Sequence, residues 1–211
     1  MSKTFLISDP HFGHKKIIDY ENRPFESISE MDKAIAKNWN QAVNNDDTVI
    51  VAGDVSFYNK EKTSEIIKNL KGNKILVLGN HDRWSIPYWM DVGFDEVYKH
   101  KIIYQDWFVI SHAPPHYYND KTPYFYCYGH VHQAKLYPTI TKQTACLCVE
   151  RWNYTPVELG MIKEMAKAVG EGTCPNFLDE EWAKSYQEYK DTKNKDRHKE
   201  NEENTGNISS K

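Results

Sequence analysis

Ile75-Leu76-Val77-Leu78-Gly79-Asn80-His81-Asp82 passes from a block of aliphatic side chains directly into residues able to bind a metal ion. Four apolar residues in succession are too few for a helix, and a run without polar alternation reads as a strand buried on both faces. The same construction recurs at Phe5-Leu6-Ile7, at Thr48-Val49-Ile50-Val51 and at Phe108-Val109-Ile110. Helical patterns lie between these runs. Ser27 stands three residues before Glu30, as in a capping box, ahead of residues 30 to 43, where Met31, Ala34, Ile35, Asn38 and Trp39 fall mainly on one face. A shorter helix is expected over 62 to 70. Strands alternating with helices predict an α/β fold with parallel strands.

From residue 94 to 149 the strand signals crowd together, which predicts a second, more antiparallel sheet. Thr155-Pro156 fits an N-cap and first turn, predicting a helix to about residue 169, and a further helix is expected over 178 to 189. Beyond residue 190 the chain is almost wholly polar and too poor in apolar surface to offset its ordering entropy. The expected organisation is one domain over 1–190 followed by a flexible polar tail, 191–211.

The buried runs share one property: each ends in polar residues of a particular kind. The first delivers Asp9-Pro10-His11, the second Gly53-Asp54, the third Gly79-Asn80-His81-Asp82, the fourth His112, and the run 124–128 delivers Gly129-His130-Val131-His132. Ligands of open α/β sheets bind outside the carboxyl ends of the strands, so these distant segments are expected to converge. Singly, Asp-x-His or Gly-Asp is an ordinary turn. Gly-Asn-His-Asp and Gly-His-x-His are sharper, because capping, solubility and core packing have no need of such histidines.

The ordered blocks D-x-H, G-D, G-N-H-[DE], H and G-H-x-H resemble those of the calcineurin-like metallophosphoesterase superfamily, over about residues 4 to 155. The resemblance implies two packed, mostly mixed β-sheets flanked by helices, a four-layer α/β/β/α sandwich. It also implies that Asp9, His11 and His132 hold one metal, that Asn80, His112 and His130 hold the other, and that the Asp54 carboxylate bridges both. His81 would contact substrate as a general acid. An oxygen and imidazole donor set without thiolate suits Mn²⁺, Fe²⁺, Ni²⁺ or Zn²⁺, with Mn²⁺ favoured here. Two such ions about 3.5 to 4 Å apart share a water and lower its pKa from about 15.7 toward roughly 7, giving hydroxide as nucleophile.

Composition narrows the substrate. Lys and Arg total 27 against 30 Asp and Glu, a net charge of −3, so there is no strong nucleic-acid footprint. No stretch approaches the roughly 20 apolar residues of a membrane span. With no signal-peptide block after Met1, a cytoplasmic location is expected. The partner expected is a small phosphorylated substrate. Gly53-Asp54 continues as Val55-Ser56-Phe57-Tyr58 and lacks the Asp-Arg-Gly of Ser/Thr protein phosphatases. A metal-dependent nuclease and a non-catalytic, metal-stabilised binding module are the alternatives, and an unliganded acid at His81 counts against the second.

His14, Arg23 and Arg83 flank the ligand segments and are candidate phosphate contacts. The aromatic group Tyr117, Tyr118, Tyr124, Phe125, Tyr126 and Tyr128 fits either stacking on a nucleobase or strand packing. Cys146 and Cys148, alternating with Leu147 and Val149, read as core residues of a strand, while Glu150-Arg151-Trp152-Asn153-Tyr154 is placed at one edge of the cleft. His100, His116 and His198 match no ligand block.

Overall fold

A computed structural model describes residues 2–115 and 122–172. The helix expected over 178–189, the tail 191–211, and Tyr117, Tyr118, His116, Cys174 and His198 lie outside the described residues. In chain order the first elements are β1 (Thr4–Ile7), α1 (Lys15–Tyr20), α2 (Ile28–Ala42), β2 (Thr48–Val51), α3 (Lys60–Asn69), β3 (Asn73–Val77), α4 (Ile86–Val92) and β4 (Glu96–Tyr98). They are followed by β5 (Ile102–Tyr104), β6 (Phe108–Ser111), β7 (Phe125–Tyr128), β8 (Thr144–Cys146), β9 (Val157–Glu158) and α5 (Leu159–Gly170).

Two mixed sheets result, ordered β4-β3-β2-β1-β9 and β5-β6-β7-β8. Leu6, Ile50, Ile75 and Val77 of the first meet Phe108, Ile110, Phe125 and Cys127 of the second in one core, which α5 extends through Leu159, Ile162 and Met165. On the other face of the first sheet, Met31, Ile35 and Trp39 of α2, Ile67 of α3 and Trp89 of α4 cover Phe5, Ile7, Val49, Val51 and Leu76. That two-sided burial is why these strands read as unbroken apolar runs. Ser27 caps α2 by accepting the Glu30 N–H, and Asn59 caps α3 by accepting that of Lys62. Val131 and Tyr137 pack onto Tyr128 and Cys146 of the second sheet and onto Cys148 just beyond it.

Two expectations are corrected. The second sheet is not mainly antiparallel, since β6, β7 and β8 run parallel and only β5 opposes its neighbour. Parallel strands bring the ends that carry His112 and His130 to the same edge, which an antiparallel arrangement would have separated. The last described helix starts at Leu159, not at Pro156. Val157 is taken by the sheet instead, pairing with Leu6 in antiparallel register where its side chain is buried.

An isolated parallel bridge between Ser8 and Cys148 joins the end of β1 to the chain just beyond β8. The carboxyl ends of the two sheets therefore meet along one seam, and the polar segments lie on it. Among the described residues no helix is long and apolar enough to cross a membrane.

Candidate metal centre

Five of the expected ligands, Asp9, His11, Asp54, His130 and His132, hold φ between 45° and 72°. Left-handed backbone costs a residue with a Cβ about 1–2 kcal/mol, so a cluster of such residues marks strain kept in place by its surroundings. The surroundings are visible. Asp9 N–H donates to the Gly53 carbonyl and His11 N–H to that of Asp54, while His130 N–H donates to Asp9 Oδ2 and His132 N–H to Cys148 Sγ.

Asp9 is wholly buried, and its two oxygens differ. Oδ2 accepts from Ser8 Oγ at 2.6 Å, from His130 N–H and from Cys148 Sγ at 3.3 Å. Oδ1 has no hydrogen-bond partner, and it lies 3.6 Å from His11 Nε2 and 3.7 Å from His132 Nε2. His11 Nε2 is likewise buried without a partner. Buried polar atoms are nearly always satisfied, so two orphans facing each other indicate a ligand between them.

The other ring nitrogens are committed elsewhere, which sets the tautomers. His11 Nδ1 meets His14 Nδ1 at 3.1 Å, His132 Nδ1 meets Glu150 Oε1 at 3.0 Å, and His112 Nδ1 donates to the Ala52 carbonyl at 2.8 Å. Each Nε2 is thereby left to face the centre. His112 Nε2 lies 2.8 Å from Asn80 Oδ1 and 3.2 Å from His130 Nδ1.

Asp54 stands between the two groups. Its Oδ2 is 3.6 Å from His11 Nε2 and 3.4 Å from His112 Nε2, while Oδ1 accepts the His81 N–H at 2.9 Å. His81 Nε2 is 3.9 Å from Asp54 Oδ2, and its side chain is 38% exposed, so it faces the mouth of the centre. Donor atoms of Asp9, His11 and Asp54, and separately of Asp54, His112 and His130, gather within 4.8 Å of one another. This donor chemistry fits a pair of divalent cations.

Electrostatics agree. Burial would raise the Asp9 carboxyl, but the surrounding imidazoles of His11, His112 and His132 hold it well below the usual carboxylate range. Burial opposes charge on His112 and on His132 too, yet neighbouring carboxylates outweigh it and push both up to about 9. The carboxylates thus draw positive charge onto their neighbours, as they would draw a cation. His14 goes the other way: burial and the adjacent His11 lower it to about 4, so it is neutral at pH 7 and shares one proton with His11 Nδ1.

Glycine is required where the strand ends close on one another. A Cβ at Gly79 would collide with Asp54 Oδ1 and sit 2.6 Å from Asp54 N, and one at Gly129 would collide with Ser8 Oγ and Asp9 Oδ2. These contacts give the Gly of each motif a packing reason.

The calcineurin-like phosphoesterase family matches residues 2–157. The chain belongs to that family. Another relative is the uncharacterized protein MJ1445 of Methanocaldococcus jannaschii, 35% identical over 172 residues, covering 78% of this chain and 92% of that protein. The Gene 66 protein of Mycobacterium phage L5 is 34% identical over 116 residues, covering 54% of this chain and 52% of its own. Among solved structures, the protein of unknown function AQ665 from Aquifex aeolicus superposes with a TM-score of 0.60 at 25% identity, covering 78% of this chain and all of that one. Family and donor set together make this calcineurin-like phosphoesterase a metal-dependent one.

Around the ligands, the structure reassigns several side chains of this phosphoesterase. Arg23 does not reach a substrate. Its side chain is fully buried, donating to Glu150 Oε1 at 2.6 and 2.9 Å, to the Asp9 carbonyl and to the Pro10 carbonyl. It clamps the Asp9-Pro10 turn against Glu150, which in turn orients His132. His14 is committed to His11, and Arg83 is exposed two residues beyond His81. Phe125 and Tyr128 are buried in sheet packing, so for them the strand reading holds. Cys146 and Cys148 are core residues as expected, although Cys148 also donates to Asp9.

Two acids support the centre in ways their sequence context does not reveal. Glu150 was seen only as the edge of the cleft, yet it links His132 to Arg23, and next to it Arg151 braces the His132 loop by donating to the His132 and Ala134 carbonyls. Asp82 was seen only as the fourth letter of Gly-Asn-His-Asp. Its carboxylate accepts the N–H groups of Asp54, Val55 and Gly79 at 2.7 to 2.9 Å and so fixes the Asp54 turn.

Arg23→Met leaves the Glu150 carboxylate buried and without its guanidinium, and should lower unfolding stability by about 3–5 kcal/mol in denaturant titrations; an unchanged midpoint would mean the clamp is dispensable. Asp82→Asn turns an acceptor of three N–H groups into a partial donor. Mn²⁺ affinity measured by titration should fall about 10- to 100-fold, the usual scale for removing support behind a ligand.

Proposed function

We propose that the protein hydrolyses a phosphomonoester or phosphodiester of a small, nucleotide-like substrate at a binuclear centre. Asp9, His11 and His132 would hold one ion and Asn80, His112 and His130 the other, with Asp54 between the two groups. The observation that carries this reading is the position of Asp54 Oδ2, 3.6 Å from His11 Nε2 and 3.4 Å from His112 Nε2, nitrogens of two separate donor groups. Mn²⁺ is the favoured occupant of both positions.

Bound divalent ions supply hydroxide near neutral pH and offset the charge that develops on phosphoryl oxygens. The remaining work falls to side chains. His81 is held by its backbone N–H on Asp54 Oδ1 and keeps its ring partly in solvent, where it protonates the departing alkoxide oxygen. Arg83, exposed beside it, is available to pair with a non-reacting phosphoryl oxygen.

The test is purification with Mn²⁺, elemental analysis, and turnover of p-nitrophenyl phosphate, bis-p-nitrophenyl phosphate and a panel of cyclic and linear nucleotides. Two ions per chain and metal-dependent hydrolysis of at least one ester class are expected. Stoichiometric metal with every ester left intact would instead favour a metal-stabilised binding module.

A further inference from the structure

Phe57 is a large apolar side chain placed where packing does not need it. It is 42% exposed and belongs to none of the hydrophobic clusters, although its neighbours Val55 and Tyr58 both pack into the core beneath the first sheet. A single exposed phenylalanine is unremarkable by itself. Its surroundings are what matter. The ring stacks on His14 with centroids 3.9 Å apart and planes 16° apart, lies nearly parallel to His11 at 5.3 Å, and reaches the His81 ring at 5.1 Å.

The backbone beneath is fixed. Phe57 N–H donates to the Phe12 carbonyl, Phe12 bridges Ser56, and Tyr58 lies over Gly13 so closely that a Cβ there would be 2.7 Å from its ring. Phe57 is therefore a rigid, half-solvated aromatic plane beside the one expected catalytic side chain that is not a ligand. Tyr20, 65% exposed, meets His14 in a T-shaped contact with centroids 6.5 Å apart and adds a further exposed ring nearby.

The geometry points to Phe57, backed by His14, as the platform on which a flat leaving group stacks, which makes a nucleoside the preferred alcohol of the ester. This rests on the proposed hydrolysis, because the leaving oxygen must lie within reach of His81 and its ring substituent must then pass Phe57. Every base has a π-face, so the platform selects for a base without selecting which one. Tyr124, Phe125, Tyr126 and Tyr128, for which the sequence leaves stacking and strand packing open, belong to β7 and the residue before it, with Phe125 and Tyr128 buried.

Calorimetric titration of the Mn²⁺-loaded protein with non-hydrolysable phosphonate analogues of adenosine 5′-monophosphate and of ribose 5-phosphate tests the platform without turnover. The parent should bind the adenosine analogue about tenfold more tightly or better. Phe57→Ala and Phe57→Leu should abolish that preference while leaving the ribose analogue unaffected, and Phe57→Tyr should keep it. Equal affinities in the parent, or a preference that survives in both Phe57→Ala and Phe57→Leu, would overturn the assignment. Turnover separates the two levels. Hydrolysis of ribose 5-phosphate as efficient as that of the nucleotide would retain the phosphoesterase reading and remove the platform, whereas binding of the adenosine analogue through Phe57 with no ester hydrolysed would remove the reaction and retain the platform.

Discussion

Asp54→Asn is expected to lose metal and activity together. The amide keeps the size of the side chain and an oxygen able to accept the His81 N–H, so the turn held by Asp82 has no reason to unfold. What it removes is the negative charge between His11 Nε2 and His112 Nε2. An amide oxygen is a weaker ligand for divalent cations than a carboxylate, and a nitrogen turned inward has no lone pair to offer them. Elemental analysis after dialysis should find the metal content depleted, with turnover down at least about 10²-fold, the scale of losing one preorganised electrostatic contact. Circular dichroism should be unchanged. A variant that keeps the parent's metal content and full turnover would show that the Asp54 carboxylate is not needed to hold metal.

His81→Ala separates binding from chemistry. The His81 side chain is outside both donor groups, and its contact with Asp54 that matters for structure is made by the backbone N–H, which alanine retains. Metal content should therefore match the parent while turnover falls by about 10² or more, as for loss of a general acid. The loss should be greatest for alkoxide leaving groups and smaller for p-nitrophenolate, which departs without a proton. An equal loss on both would assign His81 to binding phosphate instead, and undiminished turnover would remove it from the mechanism.

Much of the fold was legible because a strand buried on both faces leaves a continuous apolar run, as in Val49-Ile50-Val51 and Leu76-Val77. Segments less buried are harder to read: β4 has no such run, the apolar Ile102-Ile103-Tyr104 of β5 is partly exposed, and α1 and α4 are only 6 and 7 residues long. The direction of β6 to β8 was misread because direction depends on the route of the connections, which hydropathy does not encode. Arg23 was misread for a related reason. Its neighbours in sequence suggest a loop cation, but its partners Asp9 and Glu150 are 14 and 127 positions away.

The sequence by itself determined which donor atoms exist and that each follows the end of a buried run, because hydropathy and residue type are local properties. It determined by family likeness the order of the blocks and hence the class of chemistry. Only the tertiary structure decided which oxygen of Asp9 is free, that Asp54 lies between His11 and His112, that Glu150 and Arg23 stand behind His132, and that Phe57 rather than the β7 aromatics faces His81. Those outcomes depend on strand direction, on left-handed turns at Asp9, His11, Asp54, His130 and His132, and on contacts between segments more than a hundred residues apart. They arise when the two sheets close along the Ser8–Cys148 seam.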